Sequence, residues 1–157
     1  MGERDVEGAV ALLAAVSREG RYIATEWPFD VDARANALRE ALLTRYCVGW
    51  VAVDGRTVIG SLTVFELHHE EPELGMVVDA RHRGRGIGTA LIDAAIAWAR
   101  ANAKPGIMLR VFPDNDVARG LYRANGFEDV ETQRGAIPRR DGTRRDVIVM
   151  RRALAPA

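Results

Sequence analysis

The feature that most constrains this chain is a basic, glycine-rich turn over residues 81–88, Arg-His-Arg-Gly-Arg-Gly-Ile-Gly. Before it, the apolar stretch 74–79 predicts a central strand, and after it a strong apolar periodicity predicts a helix to about residue 101. The glycines at 84, 86 and 88 allow the backbone to approach a ligand closely. The free N–H groups at a helix start attract anions. Together with three arginines, these properties predict a phosphate-binding turn.

Two familiar phosphate-binding motifs do not fit this turn. A Walker loop requires a lysine before its Ser or Thr, and here Gly88 is followed directly by Thr89. A dinucleotide fingerprint requires a small residue at position 89 and an acid about 20 residues further on, where the chain has Lys104 and Pro105. A nucleotide-binding domain is therefore disfavoured. The structural alternative is a turn that only lets a helix pack on a strand.

No repeat or linker divides the sequence, and we expect one domain over residues 1–157. The patterns predict helices over 5–18, from near 32, over 87–101 and 115–125, and strands over 47–53, 57–67, 74–79, 107–112, 127–134 and 144–151. Asp5 and Asn115 are the predicted N-caps of the first and fourth helices. Gly126 is expected to end the fourth helix in a left-handed conformation, and Asp54-Gly55 predicts a hairpin turn. The predicted buried positions of the first two helices are Val6, Val10, Leu13 and Val16, then Ala35, Leu38, Leu42 and Leu43. Hairpin-linked strands followed by a βα unit predict an α/β fold.

Composition limits the classes of partner. The chain has 22 Lys+Arg against 22 Asp+Glu, so its net charge is zero, which disfavours a broad nucleic-acid surface. No apolar run approaches the ~18–20 residues that span a membrane, and the charged N-terminus does not resemble a signal peptide. The single cysteine, Cys47, cannot form an internal disulfide. We therefore expect a soluble cytoplasmic protein with neither nucleic-acid nor membrane partners.

Two motifs together resemble one family. The pattern Arg83-x-x-Gly86-x-Gly88 is similar to the pyrophosphate-binding motif of the GNAT superfamily of N-acetyltransferases. A second segment, Asn115-x-x-Ala118-x-x-Leu121-Tyr122-x-x-x-Gly126-Phe127, resembles a second motif of that family position by position. The strand over 73–79 looks like the family's central strand. The resemblance covers about residues 5–152 in element order.

The resemblance implies a fold and an activity. The fold is a central mixed, mostly antiparallel twisted sheet, splayed at the coenzyme cleft, with about four helices. The first family strand is expected to be absent or truncated, which leaves an edge that a second copy could cover as a homodimer. The activity is acetyl-CoA-dependent transfer of an acetyl group directly to a primary amine of a small molecule or peptide, without a metal. The alternative is a non-catalytic acyl-CoA-binding or sensor module on the same fold.

The resemblance also assigns roles to residues. The backbone of Met76, Val77 and Val78 would pair with the pantetheine arm, and an N–H of Val77 or Met76 would polarise the thioester carbonyl. The residues expected to hold the diphosphate through main-chain N–H groups are Arg83, Gly84, Arg85, Gly86, Ile87, Gly88 and Thr89. Arg81 or Arg85 could also reach phosphate. Asn115, Ala118 and Tyr122 would contact the coenzyme, and the Tyr122 phenol would protonate the departing thiolate.

The resemblance leaves several candidates for the general base and places the acceptor pocket near the first two helices. The resemblance implies a base on the central strand, near positions 70 and 72 when counted back from the phosphate turn. Position 72 is proline, so Glu70 is favoured over Glu73, but one bulge would reverse the alternation. His68, His69 or a water chain are the other options. The acceptor pocket is expected around residues 22–29, with Glu26 contacting the ammonium and Trp27 or Phe29 forming a wall. The arginines at 134–145 either meet an acidic acceptor or belong to a solvated hairpin, and Arg119 and Arg123 either reach the adenine end or are solvated.

Overall fold

The computed structural model describes residues 1–66 and 71–154, which form four α-helices and six β-strands. In chain order these are α1 Val6–Arg18, α2 Val31–Leu42, β1 Cys47–Asp54, β2 Thr57–Phe65, β3 Glu73–Val78, α3 Ile87–Ala101, β4 Gly106–Val111, α4 Asp116–Ala124, β5 Glu128–Pro138 and β6 Arg144–Ala153. Short 3₁₀ turns, Glu3–Asp5 and Ala80–His82, precede α1 and follow β3.

The strands form one mixed sheet in the order β1-β2-β3-β4-β6-β5. All neighbours are antiparallel except β3 and β4, which run parallel because α3 connects them as a crossover. A two-residue turn joins β1 to β2, and Gly55 in it has the positive φ of +58° that the Asp54-Gly55 signal predicted. The expected mixed, mostly antiparallel sheet with four helices is confirmed.

The sheet opens between its two parallel strands. Within the described residues, β3 and β4 share one register pair, Glu73 with Met108, near the amino end of β3. Beyond that pair the two strands have no further ladder, although β3 continues to Val78 and β4 to Val111. This leaves a cleft that widens toward the carboxyl ends of both strands, which is the splay that the family resemblance implied.

The main core lies between this sheet and helices α3 and α4. Leu62 and Val64 of β2 are fully buried against it, and Ser61, which alternates with them, is buried too. Since successive strand residues face opposite sides, both faces of β2 are covered, and α1 packs against β2. A smaller cluster between α1 and α2 contains Val6 and Val10.

Three sequence predictions about the first two helices are wrong. Asp5 stands at the N-cap position of α1, but its side chain makes no capping bond to the helix, because its carboxylate accepts the N–H of Gly2 at 2.7 Å. Leu12 is buried where Leu13 was predicted, since α1 contacts both α2 and the sheet and so buries a wider stripe. Leu43 is 88% exposed because α2 ends one residue before it.

The residues before α1 form a turn and not a strand, as expected. The amino group of Met1 donates to the carbonyl of Gly49 at 2.6 Å, on the edge strand β1. A Cβ built on Gly49 would lie 3.0 Å from the Met1 methyl group, so the two residues are in close contact. Part of the edge of β1 is therefore covered from within the chain.

Candidate active site

The turn that precedes α3 (residues 83–89, here the phosphate loop) has the backbone geometry of an anion site. Gly84 and Gly86 have φ values of +73° and +81°, which L side chains adopt only with strain, and there is open space where a Cβ would lie. Gly86 is the N-cap of α3, and its carbonyl accepts the N–H of Ala90 at 3.0 Å. The N–H groups of the three residues between them have no partner inside the helix. They are the donors that a diphosphate requires.

Gly88 also has a packing role that sequence reasoning did not predict. It is buried, and a Cβ there would lie 2.8 Å from Leu121 Cδ2 and 3.4 Å from Met76 Cε. The missing side chain therefore allows α3, α4 and β3 to approach one another closely. It places the second motif directly against the phosphate loop.

Two of the three arginines of the turn are engaged by the protein. Arg83 donates from Nε to the carbonyl of Val78 at 3.1 Å and from Nη2 to Glu19 Oε1 at 2.7 Å. Arg81 lies 3.4 Å from Asp79. Arg85 is exposed and makes no ion pair with any described residue. Of the three, Arg85 has the guanidinium most available to a phosphate.

The start of the turn is fixed by a hydrogen bond of Asp79. The ring of His82 lies with Nδ1 2.5 Å from Asp79 Oδ2, and 19% of the histidine side chain is exposed. This bond lowers the pKa of Asp79, burial opposes the shift, and the nearby Arg81 adds to the lowering. The carboxylate is therefore ionised at neutral pH and joins β3 to the phosphate loop.

The edge of β3 that faces the cleft can be read from two hydrogen bonds. On the side of β3 that faces β4, the N–H of Met108 donates to the carbonyl of Pro72 at 2.9 Å. On the opposite side, the N–H of Asp79 donates to the carbonyl of Ile59 on β2 at 2.9 Å. Because backbone groups alternate along a strand without a register shift, even-numbered residues of β3 face the cleft and odd-numbered ones face β2. The N–H of Met76 faces the cleft and that of Val77 pairs with β2. Sequence reasoning left these two open.

Tyr122 is buried on α4 with only 7% of its surface exposed. Its ring packs edge-on against Phe127, with centroids 5.9 Å apart. Burial raises the pKa of its phenol to about 12, so the group is protonated at neutral pH and can donate a proton. The predicted cap of α4 is confirmed, since Asn115 Oδ1 accepts the N–H of Ala118 at 3.2 Å.

Of the two glutamates that are candidates for the general base, only Glu73 lies within the described residues. Glu73 accepts a hydrogen bond from Arg110 Nε at 2.8 Å, at the closed end of the cleft, where β3 and β4 pair. The neighbouring Glu71 accepts from Arg151 Nε at 2.7 Å. Glu70, like His68 and His69, lies outside the described residues. The arginine partners were missed by sequence reasoning because tens of residues separate them from their acids.

The predicted acceptor region is in contact with the β5–β6 hairpin. Glu26 accepts from the backbone N–H of Arg140 at 2.9 Å and lies 3.3 Å from Arg139 Nε. The carboxylate that was expected to contact a substrate ammonium is therefore already bonded within the protein by two arginines. Trp27 packs edge-on against Phe29, whose ring joins the cluster between α1 and α2. The hairpin is not simply solvated.

The arginines of α4 are both bonded to one carboxylate of the protein. Arg119 and Arg123 both donate to Asp129 Oδ2, at 3.0 and 2.8 Å. Burial of Asp129 opposes its ionisation, but the hydrogen bonds from the two arginines outweigh it, and the pKa of the carboxyl is lowered. These three side chains join the end of α4 to the start of β5.

The described residues contain neither a metal-ligand cluster nor a membrane-spanning helix. Over residues 1–66 and 71–154, no group of three His, Cys, Asp or Glu side chains is arranged to hold a metal ion. In the same part of the chain, no helix combines the length and the apolar composition needed to cross a membrane.

Comparison with known proteins agrees with the fold and the two motifs. A family model described as the acetyltransferase (GNAT) family matches residues 13–127, which include the cleft, the phosphate loop and Tyr122. The chain belongs to this family, and the resemblance drawn from the sequence is confirmed. Among solved structures, a putative acetyltransferase of Salmonella typhimurium, determined with its cofactor acetyl-CoA, has a TM-score of 0.86 at 18% identity and covers 100% of this chain and 92% of its own. At that identity it shows the fold alone.

Curated relatives match over part of their length. An uncharacterized N-acetyltransferase of Methanocaldococcus jannaschii is 38% identical over 90 residues, 56% of this chain and 37% of the relative. The N-alpha-acetyltransferase RimI of Mycobacterium tuberculosis is 34% identical over 87 residues, 53% of each chain. The chain thus spans about half or less of the length of these relatives.

Proposed function

We propose that residues 1–157 form one acetyltransferase domain that transfers the acetyl group of acetyl-CoA directly to a primary amine of a small molecule or peptide, in the cytoplasm. The observation that carries the proposal is the cleft between β3 and β4, which opens toward both the phosphate loop and α4. An extended ligand can pair with the exposed backbone of β3 as an added strand does. A diphosphate at its other end would meet the N–H groups that begin α3.

The position of each group along the cleft sets its proposed role in the reaction. The N–H of Met76 faces the cleft and would donate a hydrogen bond to the thioester oxygen, where negative charge develops during transfer. The phosphate loop and Arg85 would bind the diphosphate and so fix the thioester along β3. The carbonyl of Val78 is already bonded to Arg83, which keeps the end of β3 in place.

Tyr122 is assigned the proton donor to the thiolate that departs. With a pKa of about 12 it carries its proton at every pH at which the enzyme would work. The thiolate of coenzyme A, whose thiol has a reference pKa near ~8.5, departs more easily when it receives a proton. The amine must lose a proton before attack. Glu70, or Glu73 after rearrangement of its bond to Arg110, is the proposed base.

The proposed acceptor is a primary amine. The name of one relative helps to choose which classes of amine to test first. RimI of Mycobacterium tuberculosis is described as an N-alpha-acetyltransferase. This supports including peptides with free N-terminal amines among the acceptors that are tested first, beside amino acids, polyamines and amine antibiotics. The non-catalytic module is not favoured, because Tyr122 and the cleft are both retained.

Calorimetry and product analysis test this proposal together. Acetyl-CoA is expected to bind, whereas ATP and NAD are expected not to, and incubation with an amine panel is expected to yield an acetylated amine by mass spectrometry. Binding of acetyl-CoA without product from any amine class would favour the non-catalytic module. Binding of ATP or NAD in place of acetyl-CoA would contradict the whole assignment.

A further inference from the structure

The segment between α1 and α2 (residues 19–30, the α1–α2 loop) is held at its start by two arginines from distant parts of the chain. Glu19 pairs with Arg83, which also bonds the last carbonyl of β3. The carbonyl of Arg21 accepts from Arg145 Nη1 at 2.7 Å, and Arg145 Nη2 donates to Asp114 at 2.6 Å. Asp114 lies just beyond the carboxyl end of β4.

These contacts place the loop relative to the cleft. One of its ends is bonded at the carboxyl end of β3, and two residues later its backbone is bonded beside the carboxyl end of β4. The wide end of the cleft lies between those two strand ends. The start of the α1–α2 loop therefore passes across the wide end of the cleft.

The middle of the loop is bonded to Arg139, in the turn between β5 and β6. Its side chain is 10% exposed. Nη1 donates to the carbonyls of Ile23 at 3.1 Å and Ala24 at 3.2 Å, and Nε lies 3.3 Å from Glu26. One planar guanidinium thus fixes the backbone and one side chain of a four-residue stretch, which the single ammonium of a lysine could not do.

The neighbouring arginine adds to the same contact from its backbone. Arg140 donates its N–H to Glu26 at 2.9 Å and its Nη2 to the carbonyl of Pro28 at 2.5 Å. Arg140 is exposed, whereas Arg139 is mostly buried, so loss of Arg139 leaves the larger number of polar groups unpaired.

We propose that Arg139 is a positioning residue for the amine acceptor: it holds residues 23–26, which lie in the expected acceptor region and follow directly on the contacts of Glu19 and Arg21 at the wide end of the cleft, in one conformation and so sets the acceptor affinity. The inference rests on the proposed acetyltransferase function. Among the described residues, no hydrogen bond or ion pair joins Arg139 to the phosphate loop or to β3, so we expect the Kd of acetyl-CoA to stay unchanged when Arg139 is replaced. A loop in one conformation binds an acceptor without first being ordered, and this lowers the cost of binding.

The test compares Arg139→Lys and Arg139→Gln with Arg134→Gln, an exposed arginine on the same hairpin with no ion pair among the described residues. The measurements are kcat and KM for whichever amine gives product, the Kd of acetyl-CoA by calorimetry, and amide hydrogen exchange over residues 20–28. Both Arg139 variants are expected to raise the acceptor KM about tenfold, with kcat and the acetyl-CoA Kd within about twofold of the wild type. Arg134→Gln is expected to match the wild type.

Hydrogen exchange separates this inference from the proposed function, because it needs no acceptor. Exchange over residues 20–28 is expected to become faster in Arg139→Gln and to stay unchanged in Arg134→Gln. Unchanged exchange in Arg139→Gln, an unchanged acceptor KM, or a parallel loss of acetyl-CoA affinity would each overturn the positioning role. Absence of product from the wild-type protein with every amine would instead count against the proposed function.

Discussion

Glu73 and Met108 form the one register pair that joins β3 to β4 in the described part of the chain. It lies at the amino end of β3, so the remaining cleft-facing backbone groups of that strand are left without a strand partner. The same Glu73 is bonded to Arg110 on β4, which reinforces the junction with an ion pair. The cleft is thus closed at one end by a backbone pair and a side-chain pair, and open at the end that faces the phosphate loop.

Replacement of Tyr122 by phenylalanine is expected to lower kcat by at least about 100-fold, in the range of a lost general acid. The acetyl-CoA Kd is expected to change less than about twofold, because the ring and its packing on Phe127 are kept. Tyr46→Phe is the matched control, since Tyr46 is half exposed and precedes β1. A kcat for Tyr122→Phe equal to that of the control would remove Tyr122 from the acid role.

The raised pKa of Tyr122 predicts how the activity and the stability depend on pH. Since the phenol ionises only near pH 12, kcat is expected to show no loss from its ionisation between pH 7 and about 10. The unfolded chain releases this proton near pH 10 and the folded chain near 12, so the stability contribution is present below about 10 and is lost as pH rises toward 12. Urea unfolding of the wild type and Tyr122→Phe at pH 9 and 11 measures it. An equal pH dependence in both proteins would contradict the burial of the phenol.

Gly88→Ala is expected to lower the free energy of unfolding by about 1–3 kcal/mol through overpacking. The added methyl would lie 2.8 Å from Leu121 Cδ2. If this contact is the cause, Leu121→Ala should cost less in the Gly88→Ala background than alone, and a double-mutant cycle in urea measures the coupling. Additive effects of the two substitutions would show that Gly88 matters for another reason.

Arg85→Gln is expected to raise the Kd of acetyl-CoA about fivefold and to weaken its dependence on salt, since an exposed guanidinium beside the phosphate loop is lost. Arg81→Gln provides the control, because Arg81 is mostly exposed and its guanidinium lies near Asp79. The measurement is calorimetry at two salt concentrations. Affinities of both variants equal to that of the wild type would mean that the backbone N–H groups alone hold the diphosphate.

Local features of the sequence predicted much of the fold and the coenzyme side of the site. The cap at Asn115 and the positive φ of Gly126 depend on short-range chemistry, and both were predicted correctly. The choice between Met76 and Val77 needed the strand register, which depends on hydrogen bonds to two other strands. The sequence carries no local signal for that choice.

The acceptor side was predicted less well because its contacts join distant residues. Glu26 and Arg139 are more than 100 positions apart in the sequence, and each taken alone reads as an ordinary surface charge. Predicting their pairing requires the tertiary fold, in which the β5–β6 hairpin contacts the α1–α2 loop. Leu43 shows the opposite error, since its apolar side chain suggested burial although the helix had already ended.

The most direct test of the central claim is mass spectrometry of an amine panel after incubation with acetyl-CoA. Acetylation of Lys104, the one lysine of the sequence, should give little background, because its ammonium is paired with Glu66 at 2.9 Å. We expect at least one amine to gain a single acetyl group, in a reaction that depends on the protein and is nearly abolished in Tyr122→Phe. Tight binding of acetyl-CoA with no acetylated product from amino acids, polyamines, amine antibiotics or peptide N-termini would contradict it.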